Sequence, residues 1–208
     1  MKKKTKLTIL FAFLLCVLLI VSGILTSCSQ KPPALDLGSL KNEEDRFAWP
    51  GLTWGMSLIE LEEALDYQFD MEKPDLYVQR EFPHDYRNDP NYSSVSFAIE
   101  NYVTVFGKQS KVGFQFFADK LMVVSVFLPK RNSGADLEKL SEQLLTELER
   151  LYGDYTADES NSEFKHYYWS HNEPGDIMNR LHVGIMHNSK GEILSIDFDV
   201  HYLNPQWR

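Results

Sequence analysis

Apolar residues follow different rhythms in different parts of this 208-residue chain, and each rhythm predicts a different kind of segment. From Leu7 to Val21 they are nearly continuous. From Ser29 to Arg46 no apolar period holds; Lys31-Pro32-Pro33 and a charged stretch from Lys41 to Arg46 interrupt it, and residues 28–46 read as a flexible tether. Folded sequence is expected over 47–208. After the turn at Trp49-Pro50-Gly51, Leu58, Leu61 and Leu65 form a helical stripe with Ile59 and Ala64 beside it, predicting a helix over Ser57–Asp66. Ser57 and Glu60 have capping-box spacing, in which each side chain accepts the other's backbone N–H. Leu137, Leu140, Leu144, Leu148 and Leu151 share one face over Asp136–Tyr152, and Gly153 stops that second helix.

Elsewhere the period falls to two. Leu76–Phe82 is consistent with a strand, Pro83–Asn91 with a loop, and Tyr92–Phe106 with one long strand or two broken at Glu100-Asn101. Lys111–Phe117 and Leu121–Leu128 predict a hairpin about Asp119-Lys120, with Phe116 opposite Val123 and Val112 opposite Phe127. Phe164–Trp169 is a further strand region, and Leu181–His187 with Ile193–Tyr202 make a last hairpin about Asn188-Ser189-Lys190-Gly191. The two halves, 52–128 and 136–203, share the order helix, aromatic strand, strand, turn, strand. The expected fold class is therefore α+β: a two-layer sandwich of helices on a mostly antiparallel sheet, built from a tandem αβββ unit. Leu140, Leu144 and Leu148 are expected to meet Phe114, Val124, Ile196 and Phe198.

The amino terminus changes the picture from fold to location. Lys2, Lys3, Lys4 and Lys6 precede the Leu7–Val21 run, and small residues follow it, the layout of an export signal. Leu25-Thr26-Ser27-Cys28 resembles a bacterial lipobox. That resemblance implies a signal peptide over 1–27, cleavage before Cys28 and a lipid on Cys28. The alternative is an uncleaved membrane span, since Leu7–Leu25 approaches the ~20 residues needed. A diacylglyceryl group and a second acyl chain on Cys28 would hold the protein at the cell membrane, on its extracytoplasmic side.

Charge narrows the partners. Residues 1–27 hold four lysines and no acidic residue; the remaining 17 basic and 30 acidic side chains give a net charge near −13. Nucleic acid is an unsuitable partner for such a surface, as is a broad electrostatic grip on anionic lipid. Only Cys16 and Cys28 are cysteines, so a disulfide within residues 47–208 is excluded.

Leu52-Thr53-Trp54-Gly55-Met56-Ser57, followed by Ile59-Glu60, resembles a helix-entry motif of exported bacterial proteins of unknown role. Phe117-Ala118-Asp119-Lys120-Leu121, Leu151-Tyr152-Gly153 and Trp169 resemble later parts of the same pattern, with Lys120 and Asp154 standing where glycine and proline are usual. The wider group resembles the small α+β domains of the outer-membrane assembly lipoprotein BamE and the beta-lactamase inhibitory protein. That implies a module acting by protein binding, and it carries no catalytic residue. Physically, Gly55 permits close backbone approach, and Trp54 closes the end of a core or, as the alternative, offers a ligand-stacking surface; Tyr152-Gly153 reads the same architectural way.

The remaining candidates for chemistry are polar and aromatic clusters. His166, His171, His182, His187 and His201 crowd the carboxy-terminal half. The predicted hairpin register sets His182 opposite Asp197 and Arg180 opposite Asp199, with His201 on the same face. This is either a metal or acid–base site or, as the alternation with Ile196, Phe198 and Val200 favours, a solvated face with cross-strand charge pairs. Tyr167, Tyr168 and Trp169, with Tyr152 and Tyr155, concentrate aromatic surface; strand alternation puts Tyr167 and Trp169 on one face and Tyr168 on the other, so the cluster is read first as core, with Tyr155, Tyr168 and Trp169 as the alternative binding surface. Neither a phosphate loop, a nucleophile elbow nor a helical metal-ligand pair is present in the sequence, and no catalytic residue, metal ligand or cofactor is expected. The sequence thus points to a lipid-anchored, non-catalytic module that binds an envelope protein, with a cell-envelope hydrolase or carbohydrate-binding protein as the alternative.

Overall fold

The computed structural model describes residues 32–69, 95–128, 136–158, 161–172 and 177–207. The export signal, Cys28 and the expected strand Leu76–Phe82 lie outside them. The elements are α1 (Leu58–Leu65), β1 (Val95–Val105), β2 (Lys108–Phe117), β3 (Lys120–Phe127), α2 (Leu137–Tyr152), β4 (Thr156–Asp158), β5 (Phe164–Asn172), β6 (Met178–His187) and β7 (Ile193–Leu203), with short 3-10 turns at Leu37–Ser39 and Pro205–Trp207. The seven strands form one sheet in the order β1-β2-β3-β7-β6-β5-β4. Every neighbouring pair is antiparallel.

The expected balanced α+β sandwich is corrected by this architecture, which is dominated by its sheet. Among the described residues two α-helices, of 8 and 16 residues, accompany seven strands. They supply only part of the cover. Leu58 and Leu61 of α1 and Leu140, Leu144 and Leu148 of α2 join one core with Phe114, Val124, Ile196 and Phe198, but so do Leu37, Leu40, Phe47 and Trp49 from irregular chain. The strand order is what two αβββ halves would give if the last strands, β3 and β7, met at the centre; β4 is then an additional edge strand.

The amino-terminal segment is a second correction. Residues 29–46 lack an apolar period, yet from Pro32 onward the chain belongs to the same compact unit as the sheet. Leu40 is fully buried and Leu37 nearly so. Leu35 N donates to Thr104 O at 2.9 Å and Thr104 N to Pro33 O at 2.8 Å, so the segment pairs along the outer edge of β1. The Tyr152 hydroxyl donates to Leu37 O. Asn179, fully buried in β6, accepts from Phe47 N at 2.7 Å and donates to Phe47 O at 2.8 Å and His201 O at 3.2 Å. A buried amide needs such partners, and here they bind irregular chain to the sheet.

The sequence motifs have concrete structural uses. Ser57 and Glu60 make the reciprocal capping box of α1. Gly55, at φ 82°, donates from N to Leu121 O at 3.0 Å, and Leu121 N donates to Met56 O at 2.9 Å. Ala118 and Asp119 both have positive φ and form the two-residue turn of the β2–β3 hairpin, whose Asp119 carboxylate accepts from Leu58 N at 3.1 Å. Helix entry and hairpin turn are therefore one hydrogen-bonded unit, although sixty-one positions separate Leu58 and Asp119.

Both predicted hairpin registers are also corrected. Phe116 faces Leu121 and Val112 faces Val126, with a bulge between Gln115 and Phe116. In the last hairpin His182 faces Asp199, Arg180 faces His201 and Gly184 faces Asp197, with a bulge between Met186 and His187. In the first hairpin the turn falls at Ala118-Asp119, one position earlier than expected, and in the last a longer loop, 188–192, and the bulge together move the pairing by two positions.

Candidate functional site

Alternation along β5, β6 and β7 puts Tyr167, Trp169, Leu181, Val183, Phe198 and Val200 in the core and His166, Tyr168, Arg180, His182, Asp197, Asp199 and His201 on the opposite face. That second face was expected to be well solvated; its centre is recessed instead. The side chains of His182, Asp199 and His201 retain only 11, 14 and 15% of their exposure. Two glycines allow the crowding. A Cβ on Gly184 would lie 2.8 Å from the Asp197 Oδ2, and one on Gly113 would lie 3.0 Å from the Phe127 ring.

A chain of polar contacts runs across the three strands. His166 Nδ1 lies 2.9 Å from His182 Nε2, and His182 Nδ1 lies 2.9 Å from Asp199 Oδ2. His201 Nε2 approaches the same Asp199 oxygen at 3.6 Å, too far for a hydrogen bond. Neither ring nitrogen of His201 has a hydrogen-bond partner, although both are buried. The Tyr168 ring stacks on His182 at 4.9 Å, and the Arg180 guanidinium lies 4.9 Å from the Tyr168 ring centre.

These surroundings separate the two carboxyl groups. Burial, reinforced by the neighbouring Asp199 charge, pushes the Asp197 carboxyl up to about 7, against the pull of His182. Burial acts to raise Asp199 as well, but His182, His201 and Ser125 together outweigh it and hold that carboxyl well below the usual carboxylate range. Burial and then the nearby His182 lower the His166 imidazole. The arrangement can hold a cation or pass a proton between imidazoles and carboxylate.

The expected binding trio Tyr155, Tyr168 and Trp169 is divided between the faces. Trp169 is buried, with Nε1 donating to Gly153 O at 2.8 Å. Tyr155 packs edge-on against Tyr167 and Trp169 at 5.2 and 5.3 Å. Tyr168 alone joins the histidine face. The Gly153–Trp169 bond gives a physical reason for the Tyr152-Gly153 motif to be followed by a tryptophan: the stop of α2 and strand β5 are tied together. Tyr152 itself meets Phe47 edge-on at 5.2 Å.

Sequence reasoning missed a second site. A cleft of about 620 Å³ lies between the chain from Ser39 to Trp54 and the end of β7. Trp54 and Tyr202 stack in its wall, 5.9 Å apart and nearly parallel at 9°, while Trp54 Nε1 donates to Phe47 O at 2.9 Å. Lys41 and Arg46 contribute to the lining and pair with Asp45 at 2.7 Å and Glu44 at 2.6 Å. The pairing of Trp54 with Tyr202 has no local signal, since the two lie at opposite ends of the folded unit.

Comparison with known proteins returns no matching family model, no matching curated protein and no matching solved structure.

Proposed function

We propose that this chain is a lipid-anchored, extracytoplasmic, non-catalytic binding module whose partner is an envelope protein taken up in the Trp54–Tyr202 cleft. The observation that carries the reading is the cleft itself: an aromatic wall of two parallel rings beside a rim bearing both charge signs. Aromatic surface with a polar rim is the usual composition of a protein-binding hot spot. The basic start, the apolar run and Cys28 support anchoring, and the acidic excess suits an exported soluble domain held by lipid rather than by charge.

Saccharide binding is the second reading, favoured by the two aromatic rings that line the same cleft. Both are tested with full-length, detergent-solubilised protein and its Tyr202→Ala variant. Crosslinking in membranes should capture a specific protein with wild type, and the variant should lower that yield at least ten-fold without altering the urea midpoint. Retention by an isolated cell-wall polysaccharide that Tyr202→Ala abolishes would replace the protein partner with a glycan. Equal capture by both chains would remove the cleft from the proposal.

A further inference from the structure

We propose that His182, Asp199 and His201 form a site for a first-row divalent transition-metal ion of the zinc class. One donor atom from each residue lies within 4.8 Å of the others. Asp199 Oδ2 is at the centre, 2.9 Å from His182 Nδ1 and 3.6 Å from His201 Nε2. Donor atoms sharing a tetrahedral zinc ion with bonds of about 2.0–2.1 Å stand roughly 3.3 Å apart, so these separations bracket what the ion requires. The His182 and His201 donors, within 4.8 Å of each other, complete the triangle, and side-chain rotation closes it around the ion.

His201 favours a ligand over a purely hydrogen-bonded network. Both of its buried ring nitrogens lack a hydrogen-bond partner. Leaving such a group unsatisfied is costly, and a metal bound through Nε2 would give one nitrogen its partner. His166 supplies the outer support. With the metal on His182 Nδ1, the remaining proton sits on His182 Nε2 and is donated to His166 Nδ1, 2.9 Å away. Metal-bound histidines commonly present the other N–H to an acceptor, which fixes ring and tautomer. The donors stand on adjacent, mutually paired strands rather than on loops, so the site is held rigidly. Two imidazoles and one carboxylate select zinc-like ions over calcium or magnesium, which prefer all-oxygen sets. Three protein donors leave a fourth position for water or a partner's side chain. The site is separate from the Trp54–Tyr202 cleft, and neither requires the other.

The test uses the untagged full-length protein in detergent, stripped with EDTA and dialysed. Titration calorimetry with Zn²⁺ should give one site per chain with micromolar or tighter affinity, and Mg²⁺ should give no heat of binding. Co²⁺ should produce the visible absorption of a tetrahedral nitrogen–oxygen site. His201→Gln, which keeps a polar group of similar reach, should weaken Zn²⁺ at least 100-fold, and His171→Gln, away from the cluster, should change it less than two-fold. Circular dichroism of each variant establishes folding, and His182→Asn provides an independent ligand loss should His201→Gln misfold. Absence of a one-to-one site, or unchanged affinity in folded His201→Gln or His182→Asn, would overturn the proposal.

Discussion

Asp197 is a carboxyl group in a position made for its uncharged form. Gly184 lies opposite it in β6 and Phe127 opposite it in β3, while Asp199 and His182 supply the charges that act on it. Its folded value near 7 stands above the ordinary value of 3.8, so the native state holds the proton more tightly than the unfolded chain. The resulting stabilisation is fully present below the unfolded value and is lost as pH rises through about 7. Asp197→Asn keeps the shape and cannot ionise. In EDTA, its stability relative to wild type should rise between pH 5 and pH 8, by on the order of a few kcal/mol. Urea unfolding of both proteins at the two pH values measures this, and a difference independent of pH would contradict it. The sequence made the composition of this face legible because Asp197, Asp199 and His201 alternate with core residues. It did not reveal that Asp199 rather than Asp197 meets His182: a loop extended to 188–192 and a bulge near His187 together decide the partner, and neither has a local apolar signature.

Among the elements, the periodic ones were readable and the irregular ones were not. The leucine stripe of α2 and the Ser57–Glu60 cap of α1 appear where their periods and spacing place them. The segment Pro32–Arg46 does not announce itself, because it buries single residues such as Leu37 and Leu40 between polar ones. Its attachment depends on distant partners: Thr104 and Tyr152 for the segment itself, and the Asn179 amide on both backbone groups of Phe47 just after it. Asn179→Ala should strand those buried groups and destabilise the protein by about 1–3 kcal/mol. Hydrogen exchange gives the sharper check: amides around Leu40 and Phe47 should lose protection in the variant while those of β3 keep theirs. Equal loss across the sheet would show that the segment and sheet open as one unit.

At the scale of the whole molecule, the antiparallel sheet was legible in the alternating segments, whereas the balance between sheet and helix was not. Helical periods report where helices form; they do not report how much of a sheet those helices can cover, and irregular residues around Phe47 and Trp49 complete the cover here. The proposed anchor belongs to this scale too. Cys28→Ala should abolish lipid attachment, because the lipid would be the only covalent link between membrane and mature chain, and should leave the sheet able to fold, because residues 47–208 contain no cysteine for Cys28 to pair with. Intact mass spectrometry of membrane-extracted protein checks it; an unmodified cysteine in an uncleaved chain would restore the spanning alternative.

The position of β7 also bears on the unfinished chain. It enters beside β3 at the centre of the sheet, although α2, β4, β5 and β6 all come between them in sequence. Until β7 arrives, β3 has hydrogen-bonding groups without neighbours along one side, beside the apolar Val123, Val124 and Val126. Such an edge invites pairing with another chain. A polypeptide interrupted before Ile193 would therefore expose an apolar strand edge at what becomes the interior seam, and the same edge stands open in any chain that emerges amino terminus first until its last strand is free.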